Sequence, residues 1–307
     1  MRVDFAAAWD WEYDAEFIAL LKAAAAAHRI SFLDITLHNL NEVLHTLATG
    51  ELFIACLLDR ASDGNEQFLP LQHWATAHRI TLVNSYHAAR WSLDKATMHL
   101  ELMTAGIELP YTVMLSAYND RQMLLAEEIA AIAALPKPFV IKPTLGGGGV
   151  GVVKSAYTLA EVLHYRTEFA AEKYLVQEKV YPKYSYGWRC WFRAYYFFGE
   201  TLAVWWDDET HIYREISESD YDALGLDAMS NMIRRIASCT GMQFFSSEIT
   251  LTREGRFVAV DYVNDQIDLR PKSTHLDGVP DTLVRLAAEK LIAIAATSHP
   301  TGANTAS

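Results

Sequence analysis

The stretch IKPTLGGGGVGVVK, residues 141–154, carries five glycines within the six positions 146–151, between two segments with the composition of β-strands. Glycine adopts positive φ at little cost and lets other groups approach its main chain closely. Successive backbone N–H groups in such a loop form a concave site for anions. We therefore interpret the stretch as a strand carrying Lys142, a glycine loop that covers phosphate, and a second strand. The alternative is a mobile hairpin that binds nothing.

Three known glycine motifs resemble this loop but do not fit it. Gly146, Gly148 and Gly151 satisfy G-x-G-x-x-G, yet a dinucleotide site needs a helix directly after the loop, and VGVVKS favours a strand. A P-loop needs lysine directly after its last glycine, whereas Lys154 follows Val153. The protein-kinase glycine pattern fits, but neither H-R-D-L-x-x-x-N nor D-F-G occurs after it. A glycine flap between two strands remains.

The composition excludes several classes of protein. Apolar residues make up 51% and charged residues 21% of the 307 residues, as in a globular protein. The net charge of -12 argues against a broad nucleic-acid surface, and no apolar run is long enough to span a membrane. Cys56, Cys190 and Cys239 lack the spacing of a disulfide framework or zinc site. The start of the chain lacks signal-peptide features. We expect a cytoplasmic protein, because the cysteines suit a reducing compartment.

The order of predicted elements indicates an α/β protein. Up to about residue 85, strand-like pieces alternate with helices predicted near 14–28, 38–48 and 66–78, as in a parallel sheet wrapped by helices. A helix opened by Ser92 or Asp94 follows, and then helices near 119–134 and 157–168 on either side of the glycine loop.

The second half of the chain predicts strands and two long helices. Residues 188–208 read as a hairpin that turns at Gly199, and a helix is predicted near 218–238. Two strands, FFSSEITL and RFVAVDYV, precede a closing helix near 279–296, and residues 299–307 are predicted to be a flexible tail.

Five segments occur in an order that resembles the ATP-grasp superfamily, the fold of D-alanine:D-alanine ligase, glutathione synthetase and peptide-glutamate ligases. They are LDKATMHLELMTAGIELPYT (93–112), FVIKP (139–143), the glycine loop, YLVQEKV (174–180), and the strand pair with SSEITL and VAVDYVN. The resemblance implies an α/β (α+β) architecture with an N-terminal pre-grasp domain at about 1–90 and an ATP-grasp domain at about 91–298. Within the latter, a central subdomain (about 111–180) and a C-terminal metal-binding subdomain (about 181–298) would clasp ATP.

The resemblance also implies the residues that bind ATP. Lys95 and Lys142 match the two lysines that contact phosphates in the family. The glycine loop would cover the phosphates, and YLVQEKV would line the nucleotide pocket; the residues concerned are Gly146, Gly147, Gly148, Gly149, Gln177, Glu178 and Val180. Alternatively, Lys95 is a surface residue of a helix and YLVQEKV is a buried strand.

Acidic residues on successive strands predict a magnesium site. Glu248 and Asp261, followed by Asn264, offer the oxygen ligands that Mg²⁺ prefers. In the family the second acid and the Asn usually have one residue between them, whereas here there are two. Either a bulge or a shift of the third ligand to Asp265 would explain this spacing. The resemblance implies two Mg²⁺ ions, for which Mn²⁺ can substitute. The alternative is a pair of half-exposed hairpin carboxylates.

Arginines near the hairpin are the catalytic candidates, together with Lys142. Arg189 and Arg193 stand four residues apart and would share one face of a strand. In the family an arginine near this point stabilises the transferred phosphoryl group or the acyl phosphate. The spacing to the hairpin favours Arg193 slightly, and either arginine could instead belong to a structural ion pair.

The substrate side departs from the family pattern. Many peptide-forming relatives have a proline-glycine turn after the Asn, whereas this chain reads NDQIDLRPKS. Arg270 and Lys272 are candidates for binding a carboxylate or phosphate, although a solvated basic loop is an equal alternative. Arg60, with Asp10 and Trp11, lies at a predicted strand end where the first domain would contribute to substrate binding.

The resemblance implies an ATP-dependent carboxylate:amine ligase that forms an acyl phosphate and releases ADP and phosphate. Its partners would be a small carboxylate and an amine, with no nucleic acid or membrane, and a homodimer by family habit. One alternative is a kinase of the same fold that phosphorylates a hydroxyl group. Another is a nucleotide-binding module without catalysis.

Overall fold

The first sheet of the computed structural model, which describes residues 1–297, is fully parallel. Its strand order is β2-β1-β3-β4. The strands are β1 (Arg2–Trp9), β2 (Phe32–Ile35), β3 (Phe53–Arg60) and β4 (Thr81–Val83), connected by helices α1 (Ala15–Ala27), α2 (Leu40–Ala48) and α3 (Leu69–Ala77). Seven of the eight β3 residues are buried, because helices cover both faces of a parallel sheet. The predicted alternation is therefore confirmed.

Two short helices connect the first sheet to the second. They are α4 (Tyr86–Leu93) and α5 (Lys95–Thr104). The Ser85 side chain caps α4, and the Asp94 side chain accepts a hydrogen bond from Ala96 N at the start of α5. The helix start at Asp94 is thus confirmed, and it places Lys95 in the first turn.

The second sheet is antiparallel and contains the glycine loop. Its strands, in the order β5-β8-β6-β7, are β5 (Thr112–Leu115), β6 (Phe139–Pro143), β7 (Val153–Ala156) and β8 (Tyr174–Glu178), with helices α6 (Ala126–Ala134) and α7 (Leu159–Tyr165). The helix predicted to begin near 119 begins at Ala126. Arg166 is fully buried and donates to the carbonyl oxygens of Ser116 and Arg121. These hydrogen bonds hold the residues before α6 as turns.

The third sheet has the strand order β13-β12-β11-β14-β15 and carries the predicted metal ligands. It is preceded by the short pair β9 (Tyr184–Ser185) and β10 (Trp188–Arg189). The strands of the third sheet are β11 (Trp191–Phe197), β12 (Glu200–Trp206), β13 (Tyr213–Glu215), β14 (Phe244–Leu251) and β15 (Phe257–Asn264). The hairpin at Gly199 is confirmed, because β11 and β12 pair directly on either side of it.

The helix predicted at 218–238 is two helices, α8 (Glu218–Leu224) and α9 (Asp227–Thr240). Gly225 separates them with φ of +64°, a left-handed conformation that ends a helix. The closing helix α10 (Asp281–Thr297) packs against α1 and β1, so the end of the described chain returns to the first sheet. Within residues 1–297, no helix combines the length and apolar character needed to cross a membrane. The predicted tail at 299–307 lies outside the described residues.

Candidate active site

The predicted metal ligands lie on one face of the β14–β15 hairpin because β15 contains a bulge. Glu248 pairs with Asp261, and Ser246 pairs with Asn264. One residue of β14 therefore faces two residues of β15, Tyr262 and Val263. In a regular strand, residues three apart point to opposite faces. The extra residue brings Asn264 to the same face as Asp261 and Glu248.

Asp265, the alternative third ligand, is directed elsewhere. Its Oδ1 accepts a hydrogen bond from Asn84 Nδ2 at 2.6 Å, and its Oδ2 accepts one from Gln266 Nε2 at 3.3 Å. Asn264 keeps a long contact, 3.4 Å, from its Nδ2 to the Ser246 carbonyl oxygen. The side-chain oxygen of Asn264 is therefore the group that can act with the two carboxylates as a third metal ligand.

Glu248 is the most constrained carboxylate of the site. Its Oε1 lies 2.9 Å from Arg193 Nη2, and both side chains are largely buried. Burial raises the pKa of Glu248, and the repulsion from Asp261 acts in the same direction, whereas Arg193 and Lys142 lower it. A carboxylate whose pKa is raised by a second carboxylate beside it is typical of a cation site.

Lys142 reaches this hairpin from the second sheet. It is 6% exposed, and its ammonium group donates to the Val260 carbonyl oxygen at 3.1 Å and lies 5.4 Å from the Tyr262 ring centre. Burial lowers the pKa of Lys142 to about 8, although the attraction of Asp261 opposes this effect. Lys142 therefore connects the glycine-loop sheet to the carboxylates.

Lys95 lies at the glycine loop. Its backbone N–H donates to Thr144 O at 3.0 Å, and its ammonium group donates to Gly146 O at 2.6 Å. The charge of Lys95 contributes to the lowered pKa of Lys142, although burial of Lys142 is the larger cause. Residues 145–150 of the loop are exposed. The two predicted phosphate-binding lysines thus lie beside an open glycine loop.

The predicted nucleotide linker runs along the end of β8. Gln177 is 2% exposed, and its Nε2 donates to Thr112 Oγ1 and Tyr262 Oη at 2.8 and 3.0 Å. The side chain of Glu178 accepts from Tyr111 N at 3.0 Å, while Val180 is half-buried beyond the strand. The Gln177 side chain is therefore used within the protein.

The two candidate arginines lie in different surroundings. Arg193 pairs with Glu248 and lies 4.4 Å from the Trp206 ring centre. Arg189 instead pairs with Asp208 at 2.9 Å and with Glu209, in the loop after β12. Arg193 is thus the arginine at the predicted metal ligands.

The three predicted substrate residues are all engaged in internal contacts. Arg60 makes two hydrogen bonds to Asp14, at 2.9 and 2.7 Å, and is 6% exposed. Arg270 pairs with Asp268 and Asp277, and Lys272 donates to the Tyr213 carbonyl oxygen. The structure does not bring these residues to Lys142, Glu248 and Asp261. Their role in substrate binding remains a prediction.

The chain is similar over nearly its whole length to solved structures of several ligases. D-alanine–D-alanine ligase from Bacillus anthracis, complexed with ATP, matches with a TM-score of 0.65 and 15% identity, over 97% of both chains. A RimK domain ATP-grasp protein from Sphaerobacter thermophilus matches with a TM-score of 0.62 and 16% identity, over 95% of this chain and 99% of that one. The ATP-grasp ligase PsnB, complexed with a minimal precursor, Mg and ADP, has a TM-score of 0.64, with 14% identity over 95% and 98% of the two chains.

The chain has the ATP-grasp fold. No protein-family model and no curated protein matches the sequence, so the likeness is one of structure alone. The predicted fold class is confirmed, and the predicted phosphate and metal residues lie together in one part of the chain.

Glu248, Asp261 and Asn264 are chemically suited to Mg²⁺. They offer oxygen donors from one face of a hairpin, next to lysines that can hold phosphate. Among residues 1–297, no group of three His, Cys, Asp or Glu side chains is placed to hold a metal. The amide of Asn264 and phosphate oxygens would therefore be needed to complete a Mg²⁺ ligand set.

Two contacts near the site could not be predicted from the sequence. Lys154 Nζ donates to Asp208 O at 2.9 Å, which ties β7 to the loop after β12. His99 Nδ1 lies 2.7 Å from Tyr262 Oη, and burial together with Lys142 lowers the pKa of His99 to about 4. Asp208 follows the strand sequence AVWWD without any motif, so only the three-dimensional pairing identifies it.

Proposed function

We propose that the protein is an ATP-dependent carboxylate:amine ligase that forms an amide or peptide bond and releases ADP and phosphate. The observation that carries this proposal is the convergence of Lys142, Glu248, Asp261 and Arg193 beside the glycine loop. The ligases with similar structures support the same class of reaction.

Lys95 and Lys142 would hold the β- and γ-phosphates of ATP. Two ammonium groups offset the phosphate charge, and a desolvated cation such as Lys142 does so more strongly than one in water. The loop Gly146–Gly149 would close over the phosphates with its backbone N–H groups. The nucleotide base would lie along residues 177–180, held mainly by the backbone because the Gln177 side chain is already bonded.

Glu248, Asp261 and Asn264 would hold Mg²⁺, which would supply positive charge to offset the negative charge of the phosphates. Arg193 is positioned by Glu248 to donate to the equatorial oxygens of the transferred phosphoryl group. A carboxylate oxygen of the first substrate attacks the γ-phosphorus, and the acyl phosphate so formed is captured by the amine of the second. Closure of the glycine loop excludes the water that would hydrolyse the acyl phosphate.

The kinase alternative needs a basic surface for a phosphorylated substrate. Arg270 and Lys272 motivated that alternative, but Arg270 is held by two carboxylates and Lys272 by a carbonyl oxygen. The contacts therefore favour the ligase.

Oxygen-18 transfer distinguishes the two reactions. Acid and amine pairs would first be screened for ADP release, and the active acid would then be labelled in its carboxylate. The ligase predicts one labelled oxygen in the released phosphate and an amide product. Label that stays in the acid, together with a phosphorylated hydroxyl product, would establish the kinase instead.

A further inference from the structure

Tyr262 lies in the bulge of β15, between the proposed metal ligands Asp261 and Asn264. A bulge leaves its extra residue outside the regular ladder of backbone hydrogen bonds, so contacts outside the ladder are needed to hold it. In a regular strand, Asp261 and Asn264 would point to opposite faces of the sheet, because side chains alternate along the strand. The contacts of Tyr262 therefore bear on whether Asn264 can act with Asp261 as a metal ligand.

The side chain of Tyr262 points away from the metal face and into the core. It is fully buried, in the apolar cluster that also contains Met98 and Ile249. Its hydroxyl group accepts a hydrogen bond from Gln177 Nε2 at 3.0 Å and lies 2.7 Å from His99 Nδ1. Gln177 and His99 are buried as well, so water does not compete for these contacts. The hydroxyl group is thus held on two sides.

The two partners of this hydroxyl group belong to elements that carry other residues of the proposed site. His99 lies in α5, one turn after Lys95. Gln177 lies near the end of β8, where the nucleotide base is proposed to bind, and it also donates to Thr112 Oγ1 on β5 at 2.8 Å. The bulge of β15 is therefore anchored to the same framework that positions the proposed nucleotide and phosphate residues.

The main chain near the bulge is held by two side chains. Ser247 Oγ, on β14, donates to the Tyr262 carbonyl oxygen, and Lys142 Nζ donates to the Val260 carbonyl oxygen at 3.1 Å. Lys142 Nζ also lies 5.4 Å from the Tyr262 ring centre, within the range of a cation–π contact. The substitution Tyr262→Phe would remove the hydroxyl anchor and keep the ring beside Lys142.

We propose that Tyr262 is a positioning residue of the metal site. Its hydroxyl group, held by Gln177 and His99, keeps the bulge in place and so holds Asn264 on the face of Asp261. Tyr262 acts only through the main chain of β15, because its side chain points to the opposite face. The proposal rests on the proposed function, in which Asn264 is a ligand of Mg²⁺. Residues that orient metal ligands in this way typically change metal affinity roughly ten- to a hundredfold when they are removed.

Magnesium titrations of nucleotide binding test this role. Binding of a nonhydrolysable ATP analogue is measured by calorimetry at increasing Mg²⁺ concentration, with wild type, Tyr262→Phe, Asn264→Ala and the double variant. We expect Tyr262→Phe to raise the Mg²⁺ concentration for half-maximal binding about tenfold. The double variant should need no more Mg²⁺ than Asn264→Ala alone, because a residue that acts through another adds nothing once that one is removed. A hydroxyl group that only stabilises the fold would leave the Mg²⁺ requirement unchanged.

A matched control is Tyr174→Phe. Tyr174 is also fully buried, and its hydroxyl group donates to Tyr165 O at 2.8 Å and accepts from Phe169 N at 3.3 Å. Tyr174→Phe should lower the urea midpoint of unfolding about as much as Tyr262→Phe does, and it should leave the Mg²⁺ requirement unchanged. If Tyr262→Phe fails to fold, Ser247→Ala removes the other side-chain bond to the bulge and should raise the Mg²⁺ requirement in the same direction.

The outcomes separate the positioning role from the ligase function. An unchanged Mg²⁺ requirement in the folded bulge variant would overturn the role of Tyr262. So would a double variant in which the two single effects multiply, or an equal rise in Tyr174→Phe. Absence of magnesium-dependent binding by wild type would instead contradict the ligase function, and with it the metal site on which the role of Tyr262 depends.

Discussion

Arg193 and Glu248 occupy directly opposite positions on β11 and β14, with Arg193 Nη2 2.9 Å from Glu248 Oε1. Cross-strand neighbours of opposite charge hold each other in one conformation. Burial acts to lower the pKa of Arg193, but Glu248 and the surrounding groups raise it by more than burial lowers it. The guanidinium therefore stays charged. The pair thus supplies a fixed positive charge and a fixed carboxylate at the proposed phosphate site.

Arg193 and Arg189 should differ in their effect on turnover. We expect Arg193→Gln to lower kcat by roughly a hundredfold or more, because it removes a donor at the developing charge. It should also destabilise the fold by about 3 kcal/mol, since Glu248 loses its buried partner. Arg189→Gln, which breaks the contact with Asp208, should retain most of kcat. Steady-state kinetics and denaturant unfolding check both variants, and equal losses of kcat would contradict the assignment.

The lowered pKa of Lys142 predicts that kcat/KM for ATP falls as the pH rises, whereas the free energy of unfolding increases. Because its pKa is lowered from 10.5 to about 8, chiefly by burial, Lys142 loses its charge in the free protein above pH 8. We expect kcat/KM for ATP to fall about tenfold per pH unit there, since this parameter follows the free enzyme.

The stability of the fold should change in the other direction. Between about pH 8 and 10.5 the unfolded chain holds the Lys142 proton and the folded chain does not, so the free energy of unfolding rises with pH. Lys142→Met should remove this rise. Urea titrations between pH 8 and 10 check the slope, and identical slopes in wild type and variant would refute it.

Asn264 and Asp265 form a matched pair for testing the metal site. The bulge of β15 places Asn264 opposite Ser246, on the face of Glu248 and Asp261, whereas Asp265 bonds to Asn84. We expect Asn264→Ala to raise the Mg²⁺ concentration needed for nucleotide binding roughly tenfold, in line with the loss of a hydrogen-bonded ligand, and Asp265→Ala to leave it unchanged. The reverse ranking in magnesium titrations would move the third ligand to Asp265.

Two glycines near the loop should respond differently to alanine. A Cβ at Gly151, where φ is +72°, would lie 2.6 Å from the Phe169 ring and 3.1 Å from Pro143 Cγ. We expect Gly151→Ala to destabilise the protein by about 1–3 kcal/mol. At Gly147 a Cβ meets nothing within 4 Å, so Gly147→Ala should leave the free energy of unfolding within about 0.5 kcal/mol of wild type. Thermal unfolding of both variants decides, and equal stability would show that Phe169 moves away freely.

Much of the fold could be predicted because local patterns agree with the tertiary structure. The alternation of strands and helices predicted the first sheet, and glycine placement predicted the hairpin at Gly199. The break at Gly225 was missed because the helical pattern continues on both sides of it. The late start of α6 depends on Arg166, which bonds to carbonyl groups more than forty residues earlier in the chain.

The candidate site was predictable where residue type determines chemistry. The resemblance in segment order indicated the lysines and the acids on paired strands. The extra residue before Asn264 left two explanations open, a shift of the third ligand to Asp265 or a bulge, and the structure contains a bulge. Pairings between distant residues were not predictable. Arg189 with Asp208, and Arg270 with Asp268 and Asp277, have their partners fixed only by tertiary contacts.

Calorimetric binding of a nonhydrolysable ATP analogue, with and without Mg²⁺, to wild type and to Lys142→Ala is the most direct test of the nucleotide site. We predict magnesium-dependent binding to wild type and its loss in a folded Lys142→Ala variant, because the variant lacks the buried charge that we propose to hold the phosphates. Absence of binding to well-folded wild type, or equal binding to both proteins, would contradict the proposal that the glycine loop and Lys142 hold ATP.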